Sequence, residues 1–291
     1  MNARRPAVRG AALLLVLWLL ALLTVLVGGF GLASRTEALQ GRAMRSGTQA
    51  RLAAQAGIDY AMLRLQDPDP LRRWHPDGRG YRMPFDGVEV ELAIVDESGK
   101  IDLNAADPAL LAQFFATRGL DEDAAARLAG AVVDWRDPDE LSPPGGGAES
   151  ADYADAGRPY GAKNAPFDTV AELQQVLGMT PALYRDSAAA FTVFSGLAVP
   201  NPTFAQAPVL VALGLDEEQI LAQLALRGEG AGIDPELDPA AVALGTGTYS
   251  IDASVTMPDG TAAVIAAVVR AGGGPGDRVY VPLSWRLGEI E

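Results

Sequence analysis

Twenty-three consecutive residues without a charge, 11–33 (AALLLVLWLLALLTVLVGGFGLA), constrain this 291-residue chain more than any other feature. As a helix the run is ~35 Å long, enough to cross a hydrocarbon core of ~30 Å. Arg4, Arg5 and Arg9 precede it, and basic flanks stay on the cytoplasmic side, so everything after Ser34 is expected to be exported. A cleaved secretory signal has a shorter apolar stretch with a small-residue processing site behind it. Here a proline-free sequence continues to Leu65, with Leu52, Ala56, Tyr60 and Leu63 near one helical face and Ala53, Gly57 and Ala61 beside it. Asp67-Pro68-Asp69-Pro70 stops the helix. One rod of ~80 Å is expected over 11–65, half of it in a membrane.

Beyond the rod the pattern changes from helix to strand and back. Residues 87–95 alternate, with Val88, Val90, Leu92 and Ile94 on one face, and Glu97-Ser98-Gly99-Lys100 turns the chain. Near the other end, 248–257 and 261–271 flank Pro258-Asp259-Gly260, a hairpin signal, and a last apolar run covers 279–285 after the glycine-rich break at 272–276. One early and three late strands predict an antiparallel sheet. Residues 101–243 predict helices: Asp107-Pro108 as N-cap and N1, a stop at Gly119, a second start at Asp121-Glu122-Asp123 and an apolar face of Ala124, Leu128, Ala131 and Trp135. Thr169-x-x-Glu172 is a capping box closed by Gly178, and Thr180-Pro181 opens another helix. Gly119-Leu120-Asp121-Glu122 recurs as Gly214-Leu215-Asp216-Glu217, an approximate internal repeat.

Charge and composition exclude several functions. There is no cysteine and one histidine, His75, beside Trp74 and Pro76, so thiol chemistry is absent and Ser-His catalysis would hang on one loop residue. Formal charge is −14, and without the first ten residues 20 basic face 37 acidic residues, a net −17. Such a body repels nucleic acid. Paired helices joined through glycine suggest a DNA-backbone hairpin module, but both Gly-Leu-Asp-Glu turns put acids where phosphate would lie. Residues 134–168 hold eight acids against Arg136, Arg158 and Lys163, and Gly145-Gly146-Gly147 lets the loop fold back. Two interpretations stay open on composition: a solvated acidic loop, or an oxygen-only site for a hard cation such as Ca²⁺. Glycoside hydrolysis by paired carboxylates lacks an aromatic-lined cleft to hold a sugar.

The short basic leader, Gly10, the apolar run from Ala11 and the helical continuation resemble a type IV prepilin-class signal. Gly99-Lys100-Ile101-Asp102-Leu103-Asn104-Ala105 and Asp134-Trp135-Arg136-Asp137-Pro138-Asp139 are similar to segments of the K-type minor pseudopilins of type II secretion systems. So are Ala148-Glu149, Pro159-Tyr160, Lys163-Asn164-Ala165-Pro166-Phe167 and Glu172-Leu173. Asn201-Pro202-Thr203 departs from that family's second Asn-x-Asn-Thr-Ala pattern. The fifth residue of the mature chain, glutamate in most of the class, would be Leu15. A carboxylate in hydrocarbon needs a partner, and a subunit with nothing ahead of it has none.

The resemblance implies a non-enzymatic α+β protein: a long N-terminal transmembrane helix, a small pilin-like antiparallel sheet, and a large α-helical domain inserted between strands. It implies a leader over 1–10, a helix over 11–65, a sheet from 66–100 and 244–291, and an inserted helical domain over 101–243. A prepilin peptidase would cut between Gly10 and Ala11. The protein would sit in the inner membrane, single pass, N-terminus cytoplasmic and bulk periplasmic. There it would start pseudopilus growth at the tip with the I- and J-type minor pseudopilins, near the major pseudopilin and the inner-membrane secretion platform, and aid export through the outer-membrane secretin. It also implies structural Ca²⁺, with Asp137, Asp139, Glu149 and Asp155 as candidate ligands and Asp152 and Asn164 behind them. A membrane-anchored periplasmic binding protein, or another type IV pilin-like minor subunit, is the alternative.

Overall fold

The computed structural model describes residues 9–143, 145–225, 227, 245–272 and 279–288. Most of the leader (1–8), the glycine-rich break after Gly272 and the end of the inserted region lie outside them. Helix α1, Arg9–Leu65, is continuous for 57 residues. Its apolar residues from Leu13 to Phe30 are exposed, and it is the helix long and apolar enough to cross a membrane among the described residues. The C-terminal part of α1 instead buries one face: Ala50, Ala53, Ala54, Ile58, Ala61 and Met62.

That face lies on a five-stranded antiparallel sheet of order β1-β2-β5-β6-β7, built from β1 (Asp77–Phe85), β2 (Val88–Asp96), β5 (Thr248–Thr256), β6 (Ala262–Ala271) and β7 (Tyr280–Gly288). Inward residues alternate, as Val90, Leu92 and Ile94 do on β2 and Ile251, Ala253 and Val255 on β5. The helix comes so close that a Cβ on Gly57 would lie 2.8 Å from a Val90 methyl. Alanines and this glycine on α1 set the small helix-to-sheet distance, and branched side chains of the sheet fill it.

The sheet has one strand more than the sequence predicts. β1 carries Gly78, Gly80, Arg79, Arg82 and Pro84, which hide its alternation; within it only Met83 and Asp77 are buried. Its signal is the two-residue turn Asp86-Gly87, whose φ values of 46° and 81° suit a tight hairpin.

The helical region leaves the sheet after β2 and returns at β5. A two-residue parallel bridge, β3 (Ile101–Asp102) with β4 (Phe191–Thr192), ties its start to its middle. Between them run α2 (Pro108–Thr117), α3 (Glu122–Arg136), α4 (Ser150–Asp155) and α5 (Pro181–Ser187), and beyond β4 run α6 (Ala207–Ala212) and α7 (Glu217–Ala225). Asp107 and Asp121 accept from the amides of Ala109 and Ala124, both at 2.8 Å, so the expected caps form. Gly119 and Gly214 sit at φ 94° and 83° in the two Gly-Leu-Asp-Glu turns, and α2 packs on α6. The repeat is thus a pair of helix-turn-helix units. The Thr169–Glu172 box opens a 3-10 turn, Val170–Gln175, rather than an α-helix. Glu172 is also drawn to Lys163 at 2.8 Å, and short 3-10 turns are common where a segment connects helices. The core here is aromatic: Phe191 against Phe114 and Phe115, and Trp135 against Tyr153 and Phe167.

Candidate metal centre

The acidic segment folds onto the end of α3. Asp134 and Asp137, three residues apart, share one face of the helix, and Asp137 is its C-cap. The Gly145–Gly147 bend reaches back across α3 with no room for side chains: a Cβ on Gly130 would lie 1.9 Å from the Gly146 carbonyl, and one on Gly147 2.0 Å from an Asp134 oxygen. Ala148 N–H then donates to Asp134 Oδ2 at 2.6 Å, and Ser142 Oγ donates to the same atom at 3.1 Å. The next residue, Glu149, is thereby delivered to the helix end. One carboxylate oxygen each of Asp134, Asp137 and Glu149 lie within 4.8 Å of one another.

Asp134 and Glu149 are buried and Asp137 is half-buried, and their compensation is incomplete. Asp134 is 0% and Glu149 6% exposed. Asp134 Oδ1, Asp137 Oδ1 and both Glu149 oxygens have no hydrogen-bond partner among the described residues. Burial raises the pKa of Glu149 to about 7, helped by the charges of Asp134, Glu140, Asp137 and Asp139. Burial also pushes Asp134 and Asp137 above the usual carboxylate range, Asp137 with help from Asp139. The nearby cations are engaged: Arg136 donates to the carbonyls of Leu103 and Ala106, and Lys163 binds Asp168, Glu172 and the Pro166 carbonyl.

The other expected ligands are placed differently. Asp139 is exposed and accepts from Leu141 N–H at 2.8 Å. Asp152 accepts from the Glu149 N–H at 2.8 Å, holding the first turn of α4, and Asp155 ends that helix exposed. Asn164 has φ 51° and donates to Glu140 at 3.1 Å, while its Oδ1 is buried without a partner. Ala165 N–H meets the Trp135 carbonyl at 3.4 Å, which puts the Asn164 loop beside the end of α3. The structure therefore unites Asp137 and Glu149 with Asp134, a residue outside the expected ligand set. Its signal was the i, i+3 spacing from Asp137 across one helical turn.

A group of carboxylates with spare lone pairs and no nitrogen or sulfur donor suits a hard cation. The protein-family profile described as type II secretion system, protein K, matches residues 92–195, the segment holding these acids. Over that segment the chain is similar to protein K of type II secretion systems. The type II secretion system protein K of Pectobacterium carotovorum is 29% identical over 202 residues, 62% of this chain and 61% of that relative, so the match spans about three-fifths of its length. A chain of the crystal structure of the GspK-GspI-GspJ complex, from the type 2 secretion system of enterotoxigenic Escherichia coli, shares the fold. Its TM-score is 0.54 at 15% identity, over 88% of this chain and 99% of that one.

Proposed function

We propose that this protein is a K-type pseudopilin and the tip subunit of a pseudopilus, anchored in the inner membrane by α1 with its N-terminus in the cytoplasm and its bulk in the periplasm. It assembles there with I- and J-type partners and stabilises its helical region with Ca²⁺. The observation that carries this is the protein K segment lying on a helical region set between β2 and β5 of a sheet that rests on α1. Support for helix-to-helix assembly comes from the side of α1 turned away from the sheet, where Leu39, Met44, Leu52 and Leu63 are each more than half exposed. Leu15 in place of a glutamate fits a subunit with no neighbour ahead of it.

Asp134, Asp137 and Glu149 would hold the cation, with the Asn164 side-chain oxygen as a further donor. Bound, it would supply the positive charge that the carboxylates lack. Mixing the purified chain with I- and J-type subunits at tens of micromolar tests the assembly. A shared complex on sizing chromatography, lost on Leu52→Asp with Leu63→Asp, is expected; separate elution of the unaltered proteins contradicts it. Co-expression with a prepilin peptidase should yield a chain of intact mass beginning at Ala11, and Gly10→Ala should slow that cut.

A further inference from the structure

A second buried acidic region lies where the helical region meets the sheet. The chain crosses from β2 into the helical region through Glu97, Ser98 and Gly99, all buried. Glu97 is 1% exposed, and its two oxygens have different partners. Oε2 accepts from the hydroxyl of Thr192, on β4 in the helical region. Oε1 accepts from the hydroxyl of Ser250, on β5 in the sheet, and from Lys100 Nζ at 2.7 Å. Lys100 Nζ also donates to Ser250 Oγ at 2.6 Å. One carboxylate therefore holds both parts of the molecule at once.

The same crossing is closed around it. Asn201 N–H donates to the Ser98 carbonyl at 2.8 Å. A Cβ on Gly99 would lie 2.5 Å from the Phe204 carbonyl. The returning chain is pinned through Asp96, which accepts from Thr246 N–H at 2.6 Å and Oγ1 at 2.7 Å. A separate contact holds the other side: Gln206 Nε2 donates to the Asp77 carbonyl of β1 at 2.8 Å, and buried Arg227 reaches that carbonyl at 3.5 Å. A contact at one carbonyl leaves rotation about it free. The crossing at Glu97–Gly99 adds the further fixed points that remove that freedom, and among them Glu97 alone bonds by its side chain to both the helical region and the sheet.

We propose that Glu97 is the positioning residue that fixes the attitude of the helical region on the rod-and-sheet body, so that the two move as one piece. A buried charge pair adds little net stability, but its directional bonds select one arrangement over near neighbours. For a subunit that must carry its helical region ahead of a growing filament, a fixed attitude transmits push and rotation, which a hinge would absorb. This inference needs no cation at Glu149.

The chain has no cysteine, so spin labels can be placed at Glu89→Cys, on the exposed outer face of β2, and Asp123→Cys, in the exposed first turn of α3. Double electron–electron resonance on the full chain in detergent should give one narrow distance distribution. Glu97→Gln should broaden it while circular dichroism stays unchanged. Amide exchange at Ser98–Lys100 should also quicken about tenfold, the change expected when roughly one charge-assisted hydrogen bond is lost, with exchange in α2 and α3 unaltered. A distribution already broad in the unaltered chain overturns the proposal, and so does one that stays narrow in a folded Glu97→Gln. Should that variant fail to accumulate, Thr192→Val, which removes the Glu97 bond on the helical side together with the local bond from Phe194 N–H, carries the same two outcomes.

Discussion

Glu97 and Glu149 are both buried glutamates, and their surroundings are opposite. Glu97 is met by an ammonium and two hydroxyls, from Lys100, Thr192 and Ser250. Glu149 is met by other acids, and neither of its oxygens has a partner among the described residues. A buried carboxylate costs several kcal/mol unless its charge and lone pairs are compensated. The chain supplies that compensation itself at Glu97. At Glu149 it supplies only more negative charge, and the glycine bend brings this charge closer still. The contrast teaches that burial of an acid does not by itself mark a candidate cation site; burial without a counter-charge is what sets Glu149 apart from Glu97.

The comparison breaks most visibly if Glu97 loses its cation. Lys100→Met should destabilise by ~3–5 kcal/mol, because it strands a charge in the interior. Chemical denaturation would read this, and a loss under 1 kcal/mol would mean that water already compensates Glu97.

Next in size is the cation at Glu149. Ca²⁺ at a hundredfold excess over its Kd should stabilise by ~2.7 kcal/mol, seen as a higher melting temperature and reduced proteolysis within residues 134–168. Glu149→Gln should abolish that gain and, without calcium at pH 8, should melt slightly higher than the unaltered chain. A higher melting temperature for Glu149→Gln in saturating calcium would favour a solvated acidic loop.

A smaller effect concerns pH. The folded pKa of Glu149, about 7, lies above its ordinary 4.5, so between those values the unfolded chain gives up this proton first. Each rise in pH across that window then favours unfolding. The calcium-free chain should therefore lose stability from pH 4.5 to 7 and level off above, and Glu149→Gln should flatten that slope. An unchanged slope would place Glu149 in contact with water. The smallest effect is a control on the sheet surface. Arg82 lies 3.7 Å from Glu89 and 3.9 Å from Glu91, all well exposed, and Arg82→Ala should change stability by less than ~0.5 kcal/mol.

How much of this was legible in the sequence depends on the range of the interaction. The rod, the two Gly-Leu-Asp-Glu turns, the caps at Asp107 and Asp121 and the hairpin at Pro258-Asp259-Gly260 are set by neighbours within a few residues. Composition and local geometry suffice for these. β1 escaped because its glycines, arginines and proline mask the alternation, and only pairing with β2 makes it a strand. The acidic loop was visible as a concentration of charge around a glycine bend. Which acids converge was not, since Asp134 reaches Glu149 across fifteen residues of chain only once Gly146 has packed on Gly130.

Glu97 is the extreme case: Thr192 and Ser250 stand 95 and 153 residues away, and nothing near Glu97 in the chain distinguishes it from a turn residue. The sequence alone determined where the rod, the capped helices and the late hairpin begin and end, because hydrogen bonds of caps and turns close over three or four residues. Only the tertiary structure decided which buried carboxylate is neutralised by the protein and which is left without a counter-charge. Desolvation and counter-charge depend on what the fold brings within a few ångströms, however far apart it stands in the chain.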